Sequence, residues 1–232
     1  MRINHIRTVF IKQAKDTMKN KSVLIQFILY PVIALAMELS IEQIDMPNNF
    51  FVILFATIFI GMTPLSSMSA FIAEEKEGNT MRVLLMANVK PMEYLFGVGS
   101  FLFGACMLGG VAFALIGQFA GVSFLYFMLV MAIGILASMI VGAVIGTWCK
   151  NQMSAMSISI PVMMIFAFLP MLAMFNNNIA KISKFTYSQQ ISDLLGKVEQ
   201  LRFTGENIVV VVAHIVIATV LFVIAYKRSG LV

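Results

Sequence analysis

The sequence predicts an all-α integral membrane protein with six transmembrane helices, and three observations carry that reading: composition, long charge-free windows and the absence of strand alternation. Of 232 residues, 60% are hydrophobic and 12% charged, against roughly 45–50% and about 25% in an average soluble domain. With 20 Phe and 19 Met, a water-soluble fold would carry apolar patches far beyond those a monomer tolerates. The solvent of this chain is therefore a bilayer. Runs such as SFLFGACMLGGVAFALIG lack the alternation that a transmembrane barrel strand needs. Six spans of about 20 residues each leave room for one cytoplasmic arm, short loops and one longer external segment. They leave none for a second domain, so soluble machinery comes from another chain.

The spans follow from the charges, because a Lys, Arg or Asp at the centre of a span costs about 2.5–3.5 kcal/mol. The window between Lys21 and Glu38 holds span one at 22–41, and that between Asp45 and Glu74 holds span two at 50–72. Pro31 and Pro64 lie inside them. The window from Glu93 to Lys150 is too long for one helix, and Gln118-Phe-Ala-Gly121 divides it into spans at 94–117 and 124–148. Lys150 to Lys181 holds span five at 154–175, and Glu206 to Lys227 holds span six at 207–226.

Orientation follows from Lys and Arg. A cytoplasmic N-terminus puts twelve on that side: Arg2, Arg7, Lys12, Lys15, Lys19, Lys21, Lys76, Arg82, Lys90, Lys150, Lys227 and Arg228. Four face the other side: Lys181, Lys184, Lys197 and Arg202. Six spans then place the C-terminus in the cytoplasm too. Tyr94, Tyr126, Tyr226 and Trp148 fall at span ends, where amphipathic rings settle. The start MRINHIRTVFIKQAK has no apolar core, so it does not read as a cleavable signal, and the mature chain is expected to begin at Met1.

Residues 1–20 form an amphipathic segment. At 100° per residue Ile3, Ile6, Phe10, Ala14 and Met18 share one arc, with Lys12, Lys15 and Lys19 opposite. This is an in-plane interfacial helix, serving either as a membrane-surface arm or also as a contact for a soluble partner. Residues 73–92 form a hairpin between spans two and three. Its Glu74, Glu75 and Glu77 stand at a helix C-terminus, where the macrodipole disfavours negative charge, so something outside that helix is expected to use them. Gly78 stops the helix, Asn79 or Thr80 caps a new one, and Met81 to Val89 makes a short helix that Pro91 ends. Residues 176–206, external on this topology, mix Ile182, Phe185, Ile191, Leu194, Leu195, Val198 and Leu201 with charges at helical spacing. They read as an amphipathic re-entrant or surface helix.

The string EEKEGNTMRVLLMANVKPMEYLFG, the Gly-rich third span and KNQMSAMSISIPVMMIFAFLP together resemble an ABC-2 type exporter permease over nearly the whole chain. The most specific part is E-K-E-G-x-T at 75–80 with Pro91 eleven residues after Thr80; Pro161 and Pro170 add support. The resemblance implies that the hairpin is a cytoplasmic coupling helix seated in a groove of a nucleotide-binding subunit. By the same resemblance Glu74, Glu75, Lys76, Glu77, Gly78, Thr80 and Arg82 do the coupling, and Arg7, Lys12, Lys15 and Lys19 of the N-terminal helix touch that subunit too. It also implies that the external segment closes the translocation path. One departure is Asn79, where a Thr-containing Gly-Thr pair is usual.

Chemistry-bearing motifs are sparse. Cys106 and Cys149 both fall in or beside apolar runs and form no disulfide framework. No G-x-x-x-x-G-K-[ST] occurs, and His5 and His214 belong to no H-E-x-x-H or nucleophile grouping. No metal site and no catalytic residues are expected. His214, ionisable within a span, is a weak candidate for the translocation path and fits better as a hydrogen-bonded interhelical residue. Ser138, Gly142 and Gly146, like Gly97, Gly104 and Gly110, suit close helix packing.

The expected function is the transmembrane permease of an ATP-driven ABC exporter in the plasma membrane. Its partners are a P-loop ATP-binding subunit that holds ATP and Mg, a second permease (the same chain or a homologue), membrane lipid, and no nucleic acid. The chain itself binds no cofactor. A path poor in charge favours hydrophobic or amphipathic cargo: antimicrobial or phenol-soluble-modulin-like peptides first, lipophilic drugs second. The rivals are an ATP-independent pore or holin-like protein and a membrane scaffold, neither of which accounts for the three Glu.

Overall fold

The computed structural model describes residues 2–40, 47–80, 86–198 and 203–228. Among them are nine helices and no strand: α1 Ile3–Lys19, α2 Lys21–Ser40, α3 Phe50–Glu77, α4 Pro91–Ile116, α5 Gly121–Trp148, α6 Gln152–Phe175, α7 Asn177–Ser183, α8 Tyr187–Leu195 and α9 Gly205–Arg228. Six of these, α2 to α6 and α9, are long and apolar enough to cross a membrane. Pro31, Pro64, Pro161 and Pro170 lie within α2, α3 and α6, as bilayer helices tolerate when neighbours satisfy the freed carbonyls. Beyond the expected span end at 72, α3 continues without a break to Glu77 and ends on Gly78, the residue expected to stop it.

α3 is the central post, buried along most of its length, with α2, α4, α5, α6 and α8 around it. Such enclosure needs small residues at the contacts, because helices in lipid associate through close packing rather than through exclusion of water. A Cβ on Gly142 of α5 would lie 2.3 Å from the Leu65 carbonyl oxygen, and one on Gly146 would lie 2.6 Å from that of Ser69. On the other side a Cβ on Gly61 would lie 2.8 Å from the Ala167 backbone of α6. The small-residue spacing on span four is thus the seam with α3. Gly104, by contrast, faces open space. Phe59 of α3 fills the gap to α4, edge-on to Phe113 at 5.6 Å between ring centroids.

α1 has three sides rather than two. Val9, Gln13 and Thr17 are buried, and Val9 lies over Gly97 of α4, where a Cβ would come within 2.7 Å of it. Ile3, Phe10 and Met18 of the expected apolar arc remain exposed. The chain-facing stripe therefore runs beside that arc, and the apolar arc itself is left largely exposed.

The described part of 176–206 holds two helices, not one. α7 follows α6 after Asn176, whose side-chain oxygen accepts from the Asn178 and Ile179 N–H groups. α8 inserts among α3, α5, α6 and α9, burying Tyr187, Ile191, Leu194 and Leu195, whereas Ile182 and Phe185 stay exposed and Leu201 lies outside the described residues. Polar bonds fix it: Tyr187 Oη to Ser138 Oγ at 2.8 Å, Asn207 Nδ2 to Gln190 Oε1 at 2.5 Å, and Gln190 Nε2 to the Lys184 carbonyl at 2.6 Å. Burial pushes the Asp193 carboxyl up, against a hydrogen bond from Gln189.

The α3–α5 seam makes a specific demand. Gly142→Ala should destabilise the detergent-solubilised chain by about 1–3 kcal/mol, seen as a lower thermal midpoint, while Gly104→Ala should be neutral or mildly stabilising. Equal midpoints for the two variants would contradict the seam.

Candidate functional site

The hairpin end of the bundle gathers the last turn of α3, the start of α4, α1, the α5–α6 junction and the C-terminal end of α9. Four charged residues of α3 stand there in sequence. Their side chains go to different elements, because successive helical positions are about 100° apart.

Glu75 turns inward and is 6% exposed. Its carboxylate accepts from Lys12 Nζ of α1 and from Thr80 Oγ1, and Thr80 also bonds the Glu75 carbonyl at 3.1 Å. Lys76 Nζ reaches the end of α5 and donates to the carbonyls of Thr147 at 2.5 Å and Cys149 at 2.6 Å. These are orphan acceptors at a helix C-terminus, where a cation is favoured. Glu77 Oε2 accepts from Gln152 N–H at 2.9 Å, placing an anion at the N-terminus of α6, whose Asn151 cap accepts from Ser154 N–H at 2.8 Å. Glu74 is exposed.

For Glu75 and Glu77 the expected user outside α3 lies within this chain, in α1 and α6. The dipole of α3 does disfavour them, but Glu75 and Glu77 are compensated within the chain, while Glu74 and Glu77 are both exposed. Gly78 and Asn79 are exposed, Asn79 at a left-handed φ of 54°. Arg82 and the expected helix from Met81 lie on residues outside those described for the most part; of that stretch Met86, 85% exposed, begins the described return.

A second carboxylate, Glu93, was not singled out by sequence reasoning. It is 1% exposed and accepts from Arg2 N–H at 2.6 Å, His5 Nδ1–H at 2.9 Å and Lys90 N–H at 3.1 Å. Its position three after the Lys90 cap, with Pro91 first in the helix, is the signature of an acidic N3 residue. That signal was in the sequence, while the bonds to α1 were not. Glu75 and Glu93 together hold α1 across the ends of α3 and α4. Arg7, Lys15 and Lys19 remain exposed.

Elsewhere, His214 Nδ1 bonds the Val210 carbonyl of its own helix at 3.1 Å, not another helix as expected. Its ring meets Tyr187 and Phe166 at 5.8 and 6.5 Å between centroids. Cys106 and Cys149 are buried, and burial raises the Cys149 thiol despite the nearby Lys76 ammonium. Among the described residues no group of three His, Cys, Asp or Glu is placed to hold a metal.

If Lys12 and Glu75 form the latch described, Lys12→Ala and Glu75→Gln should be non-additive. A double-mutant cycle on thermal unfolding should give a coupling of about 1–3 kcal/mol; simple additivity would contradict the latch.

A family model described as ABC-2 family transporter protein matches residues 4–227. A search of curated proteins returns no match. The match spans α1 through α9, so it takes in both carboxylate latches as well as the six apolar helices. The chain belongs to the ABC-2 family, as the multi-pass permease component of an ABC transporter in the plasma membrane, itself a transport rather than a catalytic component.

Proposed function

We propose that this permease works in an ATP-driven exporter, moving hydrophobic or amphipathic cargo out of the cytoplasm or inner leaflet, with ATP and Mg bound in a separate P-loop subunit. Two permeases, identical or homologous, flank the path, and the hairpin end faces the cytoplasm. The observation that carries this reading is the construction of that end. α1, the α3 terminus and the α4 start are tied together through Glu75 and Glu93, and α3 is the post on which the rest of the bundle packs. A displacement applied to this end by a closing ATPase pair therefore reaches the central helix without passing through a flexible joint.

The contact with the ATPase subunit is made by what remains outward: Glu74, Gly78, Asn79 and Met86 on the hairpin, with Arg7, Lys15 and Lys19 on α1. Glu75, Lys76, Thr80 and Lys12 act behind that surface, holding its shape, and the exposed Glu77 carboxylate holds the start of α6. Two apolar grooves support the cargo class. One of about 520 Å³ lies among α3, α4, α5 and α9 and includes Met68, Met92 and Met139; another of about 650 Å³ lies among α1, α2 and α4. The flexible Met side chains of the first groove accommodate varied apolar shapes. Amphipathic peptides of the antimicrobial or phenol-soluble-modulin kind are the first candidates and lipophilic drugs the second.

Glu74→Arg tests the coupling surface without touching an internal bond. In the assembled transporter it should lower cargo-stimulated ATPase activity by about tenfold through like-charge or mismatched contact, with the permease's thermal midpoint unchanged. Parental stimulation in that variant would remove the acidic hairpin from the ATPase contact.

A further inference from the structure

A pocket of about 400 Å³ opens at the hairpin end between the C-terminal ends of α3, α5 and α9. It is lined by Lys76, Thr147, Trp148, Lys150, Leu221, Ile224, Ala225 and Arg228. No carboxylate lines it. Lys76 spends two donors on neutral α5 carbonyls rather than on a carboxylate. Lys150 and Arg228 are exposed, and among the described residues neither enters an ion pair. Glu77, next to Lys76, is engaged with the start of α6.

The floor of the same pocket is apolar, and it continues along α9 as the exposed side chains of Ile217, Val220, Leu221 and Ile224. Trp148, 73% exposed at the last turn of α5, sets the depth, since indole rings settle at the membrane–water boundary. Three cations above a lipid-facing apolar track match a molecule with an anionic phosphate diester head and acyl chains. We propose that this pocket binds the headgroup of an anionic phospholipid. The phosphate takes the Lys150 and Arg228 donors, with the Arg228 fork suited to two phosphate oxygens and the Trp148 N–H available to an ester or hydroxyl oxygen. One acyl chain lies along α9. Basic pockets between helices at a membrane surface select anionic heads for this reason. Inorganic phosphate shares the head chemistry but not the apolar track.

Trp148 is the only Trp in the chain, so its fluorescence reports on this pocket alone. The full-length permease is reconstituted in phosphatidylcholine vesicles, and quenching is measured as acyl-brominated phosphatidylglycerol or acyl-brominated phosphatidylcholine replaces the unlabelled lipid. The pocket predicts a preference of about fivefold or more for the anionic lipid, reduced by high salt. Lys150→Gln with Arg228→Gln should abolish the preference, while Lys150→Arg with Arg228→Lys, a control for folding, should keep most of it. Equal quenching by both lipids in the parent overturns the proposal. So does a preference that survives the double Gln change, or one erased by inorganic phosphate at matched ionic strength, which would make the ligand a soluble anion. Lost ATPase-subunit binding with unchanged lipid preference in the Gln variant would assign the cations to a protein partner and overturn it as well.

Discussion

The close approach of α5 and α6 to α3 governs the rest of this bundle. In lipid there is little hydrophobic gain from joining two apolar helices, so association depends on backbone proximity and on polar groups that have no better partner. Gly142, Gly146 and Gly61 permit that proximity, and Ser159 Oγ to Ser69 Oγ at 2.9 Å adds a buried polar bond between α6 and α3. Once α3 is enclosed, its last turn is fixed in position and direction. Two of the three carboxylates and the one ammonium it carries then meet α1, α6 and α5 at set places.

From this follows a division of labour among charges that look alike. A carboxylate at a helix C-terminus is a poor choice for that helix, yet Glu77 is a good one for α6, whose positive end it faces, and Lys76 is a good one for α5, whose negative end it covers. Each helix end is stabilised by a residue of another helix. Glu75 and Glu93 bind α1 in the same fashion. The hairpin end is accordingly a clamp of five helices, α1, α3, α4, α5 and α6, rather than a loop between two spans.

Much of the fold was legible because its causes are local. Charge-free windows bounded the spans, and the four-residue spacing of Ser138, Gly142 and Gly146 marked a packing seam, whereas Pro91, read as the end of a short helix, opens α4 three residues before the expected start at 94. The site was legible only in outline. The partners of Glu75, Glu77 and Glu93 lie 63, 75 and 88 residues away in the chain, and no periodicity encodes such pairings. Likewise the pattern in 176–206 announced amphipathic helix, but whether that helix lies on the surface or inserts is decided by Tyr187, Gln190 and Asn207 finding buried polar partners. Hydrophobic spacing carries no such information.

The central claim is that α1 and the end of α3 move as one body during the ATP cycle. A reversible cross-link between cysteines introduced as Lys12→Cys and Glu75→Cys tests it most directly, with ATP-driven transport by the assembled complex measured before and after reduction. The account predicts that the cross-linked transporter works at the rate of its reduced form. Arrest on cross-linking, relieved by reductant, would show that α1 must part from α3 during turnover and would contradict the account.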